Sequence, residues 1–258
     1  MLQFTDQQIY QFINQFFWPF VRIGTLFMAM PVFGTKLVSA RVRIVLAAAV
    51  TLLVMPLLPE LPRVPGLSLQ NLVIVLQQVI IGLTMGFILQ IVFQVFVLAG
   101  QFIAMKMGLG FASMNDPSNG VVVTVVSQYY LIMVTLLFLS VNGHLLVLKV
   151  LFESFTTMPI GESGLSAENF RQIAALGSWM FSRALIISLP VLTSLLVVNL
   201  AFGVMSRAAP QMNVFAVGFP ITLVFGLLLM WFSLANFLPN FDIFLREGFS
   251  FLHNILGA

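Results

Sequence analysis

Residues 64–105 read VPGLSLQNLVIVLQQVIIGLTMGFILQIVFQVFVLAGQFIAM, a run of 42 positions without one charged side chain. A helix that crosses a bilayer needs ~20 apolar residues, so this run exceeds a single crossing. Beyond its first three residues it contains no proline and no charge that would mark a turn. The sequence therefore favours one long or bent helix over residues 67–105. The alternative is two helices broken near Gly82, Gly86 or Gly100.

The composition extends this interpretation to the whole chain. Of its 258 residues, 60% are hydrophobic and 7% are charged, whereas soluble domains carry about a quarter charged residues. The mean hydropathy is +1.08. These values predict a single polytopic membrane domain, an all-α integral membrane protein with about six long hydrophobic helices. The expected helices cover residues 9–33, 44–58, 67–105, 121–141, 172–205 and 214–238.

The remaining segments are less apolar. Residues 142–171 predict an amphipathic connector, in which Met158-Pro-Ile-Gly161 forms a turn and Ser166 begins the next helix. That next helix is expected to be interrupted at Arg183 and Pro190. The tail, residues 239–258, alternates aromatic and charged residues as an amphipathic helix does.

The sequence contains no catalytic or metal-binding constellation. Cysteine is absent, which excludes disulfides, thiolate catalysis and thiolate metal sites. The two histidines, His144 and His253, have no further ligands at metal-binding spacing. The net charge of +3 is small and scattered rather than collected into a nucleic-acid surface. We therefore expect no enzyme activity, no cofactor, no metal and no nucleic-acid partner.

A short polar segment, Gly108-Leu-Gly-Phe-Ala-Ser-Met-Asn-Asp-Pro-Ser-Asn-Gly120, follows the first charge-free run. After Asp116 the chain is again free of charge over residues 117–148. Non-helical backbone between such runs is tolerated only where protein or water satisfies its polar groups. The segment is therefore a candidate pore, gate or substrate site. Two compatible roles stay open for Asp116, as part of a turn in Asn115-Asp116-Pro117 or as an ion-coupling residue.

Two arginines and two glycines stand out within the apolar runs. Arg22 is expected to snorkel to the membrane interface or to pair with a carboxylate of a partner subunit. Arg183 lies deeper in its run and is expected to make a polar contact in an assembly. Gly82 and Gly86 have small-xxx-small spacing, which permits close packing of two helices; ordinary helix flexibility is the alternative explanation of the two glycines.

The polar islands along the chain share their order and spacing with one family. They are Gly108-x-Gly-Phe-Ala112 with Asp116-Pro117, Asn142-Gly-His144 with Ser154-Phe155 and Pro159, Pro190, and Ser206-Arg-Ala-Ala-Pro-Gln-Met-Asn-Val-Phe215 with Gly218-Phe-Pro220. Together they resemble the FliR family of flagellar export-gate proteins, whose injectisome counterpart is SctT. The resemblance spans nearly the whole chain. Its most specific part is the Arg-x-x-Pro-Gln-Met-Asn block, in which Arg-Ala-Ala-Pro-Gln favours the flagellar members.

The resemblance implies a core subunit of a type III protein export gate, forming part of the protein-conducting pore and its plug. Residues 1–171 would be FliP-like, with a plug loop at 106–120, and residues 172–258 would be a FliQ-like helical hairpin and tail. The implied plug residues are Gly108, Gly110, Phe111, Ala112, Ser113, Met114, Asn115, Asp116 and Pro117. Of these, Phe111 and Met114 are expected to seal the closed pore. The implied residues of the hairpin turn and its subunit contact are Arg207, Pro210, Gln211 and Asn213.

The resemblance also implies partners and a location. The partners would be FliP-like and FliQ-like subunits in a helical hetero-oligomer, a FlhB-like export component, exported unfolded proteins and the lipid bilayer. The location would be the bacterial inner membrane, within the flagellar basal body. Two other functions stay open, a virulence secretion gate of the SctT type and a small-solute secondary transporter or channel.

Overall fold

The computed structural model describes residues 6–58, 69–111, 113–115, 122–208 and 214–257, and these residues are almost entirely helical. Their α-helices are α1 (Asp6–Ala29), α2 (Ala40–Val54), α3 (Leu69–Lys106), α4 (Val125–Ser140), α5 (Gly143–Thr157), α6 (Ala167–Ala208), α7 (Val214–Ser233) and α8 (Phe237–Leu256). Single turns of 3-10 helix lie at Met55–Leu57, Leu109–Phe111 and Leu234–Asn236. Two three-residue strands, β1 (Ser113–Asn115) and β2 (Val122–Thr124), form one short ladder between α3 and α4. The predicted all-α fold class is confirmed.

The long run after residue 67 forms one continuous helix, α3, of 38 residues, as predicted. Gly82, Gly86 and Gly100 do not break it. A Cβ atom at Gly82 would lie 2.5 Å from the carbonyl oxygen of Arg22, and one at Gly86 would lie 2.5 Å from the Cβ of Ala29. No side chain fits at these distances, so the two glycines let α1 pack directly against the backbone of α3, which is the close packing that their spacing permits.

Four helical segments of the described residues are long and apolar enough to cross a membrane, namely Ala40–Leu57, Leu69–Lys106, Ala167–Ala208 and Gly218–Leu256. The pair α4 and α5 passes the same test together, bent by 67°, which raises the number to five if the pair is one span. Six were predicted. The difference is α1, which is not among the candidate spans of the described residues.

The structure also corrects the predicted interruption of the helix after the connector. α6 runs unbroken from Ala167 to Ala208 with Pro190 inside it. Proline is tolerated inside apolar helices of this kind when neighbouring groups satisfy the backbone that it frees. The predicted helix start at Ser166 is confirmed, because its N–H donates to Asn169 Oδ1 at 2.8 Å and its Oγ accepts from the N–H of Asn169 at 3.3 Å.

The described residues divide into two compact units. The first lies within Met1–Gln90, Asn142–Leu176 and Gly248–Ala258. Its core is formed by apolar side chains of α1 and α3 that are fully buried, among them Ile23, Leu26, Ile81 and Met85. The close approach of α1 to Gly82 and Gly86 belongs to this unit.

The second unit lies within Ile91–Val141 and Gly177–Glu247, and its core is aromatic. The Phe96 ring of α3 lies 5.0 Å from Phe237 and 5.9 Å from Phe244, centroid to centroid. Tyr130 of α4 makes an edge contact with Phe237 at 5.2 Å. Aromatic pairs at such distances add to the stability that their burial already provides. The core therefore joins α3, α4 and α8.

Burial differs strongly among the candidate spans. Half of the apolar window of α3 is buried within the chain, against 17% for the span that begins with α2 and 22% for that of α6. α3 therefore buries more of its apolar side chains within the chain than the other spans do. An apolar surface of this extent requires lipid or protein to cover it.

Candidate functional site

The first feature of the candidate site is the way α3 ends. The N–H of Gly108 donates to the carbonyl oxygen of Met105 at 3.3 Å, and Gly108 has φ +79°. Glycine adopts this left-handed conformation without strain, which makes it a common helix terminator. A Cβ atom at Gly108 would also lie 2.9 Å from Cε2 of Phe219 on α7. The backbone conformation at this position therefore favours glycine, and a larger residue would also displace the ring of Phe219.

A second glycine completes the packing of α7 on the end of α3. Met107 is fully buried, and a Cβ atom at Gly226 would lie 2.5 Å from its Cγ. Phe219 and Gly226 are seven positions apart, which places them on the same face of α7. This face of α7 holds the last residues of α3 in place.

Beyond Gly108 the chain leaves the α-helical conformation. Leu109–Phe111 form one 3-10 turn, and β1 then pairs antiparallel with β2 in the register Ser113↔Thr124, Met114↔Val123 and Asn115↔Val122. The prediction of a non-helical segment is confirmed. The strand pairing was not predicted, although the β-branched run Val121-Val-Val-Thr124 is a strand signal that had been assigned to the following helix.

The far end of the segment is fixed to α3 by a chain of hydroxyl groups. Thr124 is the N-cap of α4, and its Oγ1 accepts from the N–H of Ser127 at 3.3 Å. The two hydroxyls lie 2.9 Å apart, and Ser127 Oγ donates to the carbonyl oxygen of Val97 at 2.9 Å. At Gly100 a Cβ atom would lie 2.8 Å from Cα of Ser127, so glycine is needed for this approach. Thr124 and Ser127 are both buried.

Residues 107–124, which we call the α3–α4 segment, are thus anchored at both ends within the second unit. Gly108 anchors one end, and Thr124 with Ser127 anchors the other. Three of the predicted plug residues, Ala112, Asp116 and Pro117, lie outside the described residues. The side chains of Phe111, Ser113, Met114 and Asn115 lie outside them as well, so their sealing role stays a prediction.

Arg22 occupies a fully buried site within the first unit. Its Nε donates to Gln78 Oε1 at 2.8 Å, and Nη2 donates to the carbonyl oxygen of Met158 at 2.8 Å. Nη1 donates to the carbonyl oxygen and to Oγ of Ser154, at 2.7 and 3.2 Å. Its Cζ lies 4.5 Å from the centre of the Phe155 ring. Four hydrogen bonds and one ring contact thus satisfy the guanidinium within the chain.

The acceptors of Arg22 explain why no carboxylate is needed. The carbonyl oxygens of Ser154 and Met158 lie at the C-terminal end of α5, where the helix dipole is negative. The buried Arg22 does not snorkel outward from its unit, and its inter-subunit pairing stays a prediction. Ser154 and Phe155 entered the sequence analysis only as part of a family pattern, and Gln78 was not singled out at all.

Arg183 also finds its partner within the chain, in the second unit. Its Nη2 lies 2.8 Å from Glu247 Oε1 on α8, and the Trp179 Nε1 donates to Glu247 Oε2 at 2.7 Å. The Arg183 Cζ lies 5.5 Å from the centre of the Phe244 ring. One carboxylate of α8 thus holds two donors of α6. Arg183 thus has a polar partner in its own chain, and a further contact in an assembly stays a prediction.

The predicted hairpin turn is only partly covered by the structure. Arg207 is exposed in the last turn of α6, where a positive charge complements the helix dipole. Pro210, Gln211 and Asn213 lie outside the described residues. Their roles stay predictions.

The described part of the chain offers no obvious chemistry of catalysis. Within it no three His, Cys, Asp or Glu side chains come together in a way that would hold a metal ion. The arrangement around the α3–α4 segment consists of glycines, hydroxyls and apolar side chains. Such a set can position a segment of backbone.

Comparison with known proteins gives a consistent result. The model of the family described as bacterial export proteins, family 1, matches residues 13–248. The chain is 39% identical over 256 residues to a flagellar biosynthetic protein FliR of Pectobacterium carotovorum, which covers 99% of this chain and 98% of that protein. It is 36% identical to FliR of Escherichia coli K12, over 99% of this chain and 96% of that protein. With FliR of Bacillus subtilis it shares 30% identity over 82% of each chain.

Proposed function

Because the chain belongs to the FliR family of bacterial export proteins, we propose that it is a core subunit of the flagellar type III protein export gate. In this proposal it forms part of the protein-conducting pore, and the α3–α4 segment is the plug that closes the pore. The relatives described above are named as flagellar proteins, which favours the flagellar gate over a virulence secretion gate.

The observation that carries the proposal is the double anchoring of the α3–α4 segment. A plug has to stay attached when it moves, and it has to return to one closed position. The fixed ends at Gly108 and at the Thr124–Ser127 pair would keep the segment attached while it moves. Short β-pairing between the ends meets the second need, because a three-residue ladder is weak enough to open and has a defined register.

Assembly with other subunits is supported by the exposed apolar side chains of α6 and α7. The most exposed include Val197, Leu200 and Val204 on α6, and Trp231 and Phe232 on α7, the last two being 72% and 73% exposed. In the proposal these helices are the FliQ-like hairpin of residues 172–258, and residues 1–171 are the FliP-like part. FliP-like and FliQ-like subunits and a FlhB-like component would cover this surface in the bacterial inner membrane, within the flagellar basal body.

Native mass spectrometry of the detergent-purified protein tests the proposal. A gate subunit is expected to purify in one complex with two smaller hydrophobic proteins, whereas a solute transporter would be stable alone. A second measurement is rescue of swimming in a strain that lacks its own FliR. A monomer in detergent together with absent rescue would contradict the proposal.

A further inference from the structure

A basic surface precedes and begins α2. Lys36, Arg41 and Arg43 occur within eight positions, and the sequence has no acidic residue between Asp6 and Glu60. Lys36 and Arg41 are exposed, and among the described residues neither forms an ion pair. The positive charge of this surface, which we call the α2 basic patch, is therefore not neutralised within the described part of the chain.

The third basic residue, Arg43, fixes the backbone of the patch. Arg43 Nη2 donates to the carbonyl oxygens of Thr35 and Val38 at 2.9 and 2.7 Å, and Arg43 Nε donates to Val38 at 3.2 Å. These bonds fix the loop that carries Lys36 against the first turn of α2. The two exposed cations are consequently presented from a fixed backbone rather than from a loose loop.

An apolar face continues from the patch along α2. Leu37 is 69% exposed, and Val45, Leu53 and Leu57 are 67%, 71% and 77% exposed. Together with the 3-10 turn that follows it, α2 forms one of the four candidate membrane spans, of which little is buried. The surface is thus cationic at one end and apolar over the rest of its length.

We propose that the α2 basic patch and the apolar face of α2 form a binding surface for anionic phospholipid. Lys36 and Arg41 contact the phosphate of the headgroup, and the exposed side chains of α2 contact the acyl chains. Charge complementarity selects an anionic over a zwitterionic headgroup, by about fivefold for each basic residue near the membrane surface. An acidic peptide or free phosphate would match the patch alone and leave the apolar face uncovered.

The test compares lipid retention by matched variants of the purified complex. The complex is incubated with mixed micelles that hold equal amounts of phosphatidylglycerol and phosphatidylcholine and is then separated by size exclusion. Bound lipids are quantified by mass spectrometry. The test variant carries Lys36→Gln and Arg41→Gln, and the control carries Arg171→Gln, which removes an exposed arginine of α6 that pairs with Glu168.

The wild type and the Arg171→Gln control are expected to retain phosphatidylglycerol preferentially. The double variant is expected to lose this preference by roughly tenfold or more, because two cations are removed. An unchanged ratio in the double variant, or no preference in the wild type, overturns the proposal. Displacement of the lipid by inorganic phosphate that exceeds its displacement by sodium chloride of equal ionic strength overturns it as well, since a phosphate site without the apolar face would then explain binding.

A second measurement needs no variant and covers the case in which the double variant fails to assemble. Salt screens exposed charges, so the preference of the wild type for phosphatidylglycerol is expected to fall as the salt concentration rises. A preference that does not respond to salt contradicts the proposed role of Lys36 and Arg41.

Discussion

The hydroxyl of Ser127, at the start of α4, donates a 2.9 Å hydrogen bond to the carbonyl oxygen of Val97 in α3. This bond crosses from one helix to the next at the point where the α3–α4 segment rejoins helical structure. Gly108 fixes the other end, so the segment is bounded by two defined anchors. In the proposed gate these anchors let the plug move without being lost.

Substitution of the Ser127 anchor tests this arrangement. Ser127→Ala removes the donor to Val97 and leaves the buried O–H of Thr124 without its acceptor, which costs about 1–3 kcal/mol. We expect a lower melting temperature of the purified complex and a higher ion leak in liposomes. Ser140→Ala is the matched control, since Ser140 is exposed on the same helix and bonds only to its own turn. Equal behaviour of the two variants would contradict the anchoring role.

The Gly108 anchor gives a second prediction. Alanine is expected to lower the melting temperature at Gly108 and to raise it at Gly177. Gly108→Ala forces a side chain into the left-handed region, at about 1–2 kcal/mol, and against Phe219. Gly177→Ala places a methyl group in open space within α6, which stabilises a helix by about 0.5–1 kcal/mol. Thermal unfolding of both variants should therefore shift in opposite directions. A Gly108→Ala variant as stable as the wild type would show that the end of α3 tolerates a different conformation.

The buried guanidinium of Arg22 gives a third prediction. Lysine keeps the charge but cannot donate in the directions of Gln78, Ser154 and Met158 at once. A buried charge that loses its partners costs about 3–5 kcal/mol, so Arg22→Lys is expected to lower the yield and melting temperature of the folded protein sharply. Arg171→Lys, at an exposed position, is the control and should change neither. A tolerated Arg22→Lys variant would mean that these hydrogen bonds contribute little.

The ion pair between α6 and α8 is tested by charge reversal. Arg183→Glu alone places two carboxylates together and is expected to lower the melting temperature. Adding Glu247→Arg should restore only part of the loss, because the N–H of Trp179 then faces a cation instead of the carboxylate that it binds. Full restoration would show that Trp179 does not contribute, and no restoration would show that the two residues do not interact.

Long, uniform features of this fold were predictable from sequence. The continuity of α3 followed from 39 positions without proline or charge, and the use of Gly82 and Gly86 followed from their spacing. The non-helical character of the α3–α4 segment followed from its turn residues. These predictions depend on neighbouring positions, which a single sequence displays directly.

Features that depend on distant residues were not predictable. Arg22 was expected at the membrane interface because nothing near it in sequence accepts its hydrogen bonds, and its acceptors lie 56 to 136 positions away. Arg183 was assigned to an assembly for the same reason, although Glu247 follows 64 positions later. Pro190 was expected to interrupt α6, but α6 continues through this exposed position.

Ion conductance of the reconstituted gate tests the central claim, that the α3–α4 segment closes the pore. Residues 110–116 are replaced by a shorter Gly-Ser linker. The Ser140→Ala complex, which leaves the segment intact, is purified and reconstituted in the same way as a control. If the segment is the plug, the replacement raises the ion leak of gate-containing liposomes, while the control stays at the wild-type level. A leak unchanged by the replacement, in complexes of wild-type composition, would contradict the account.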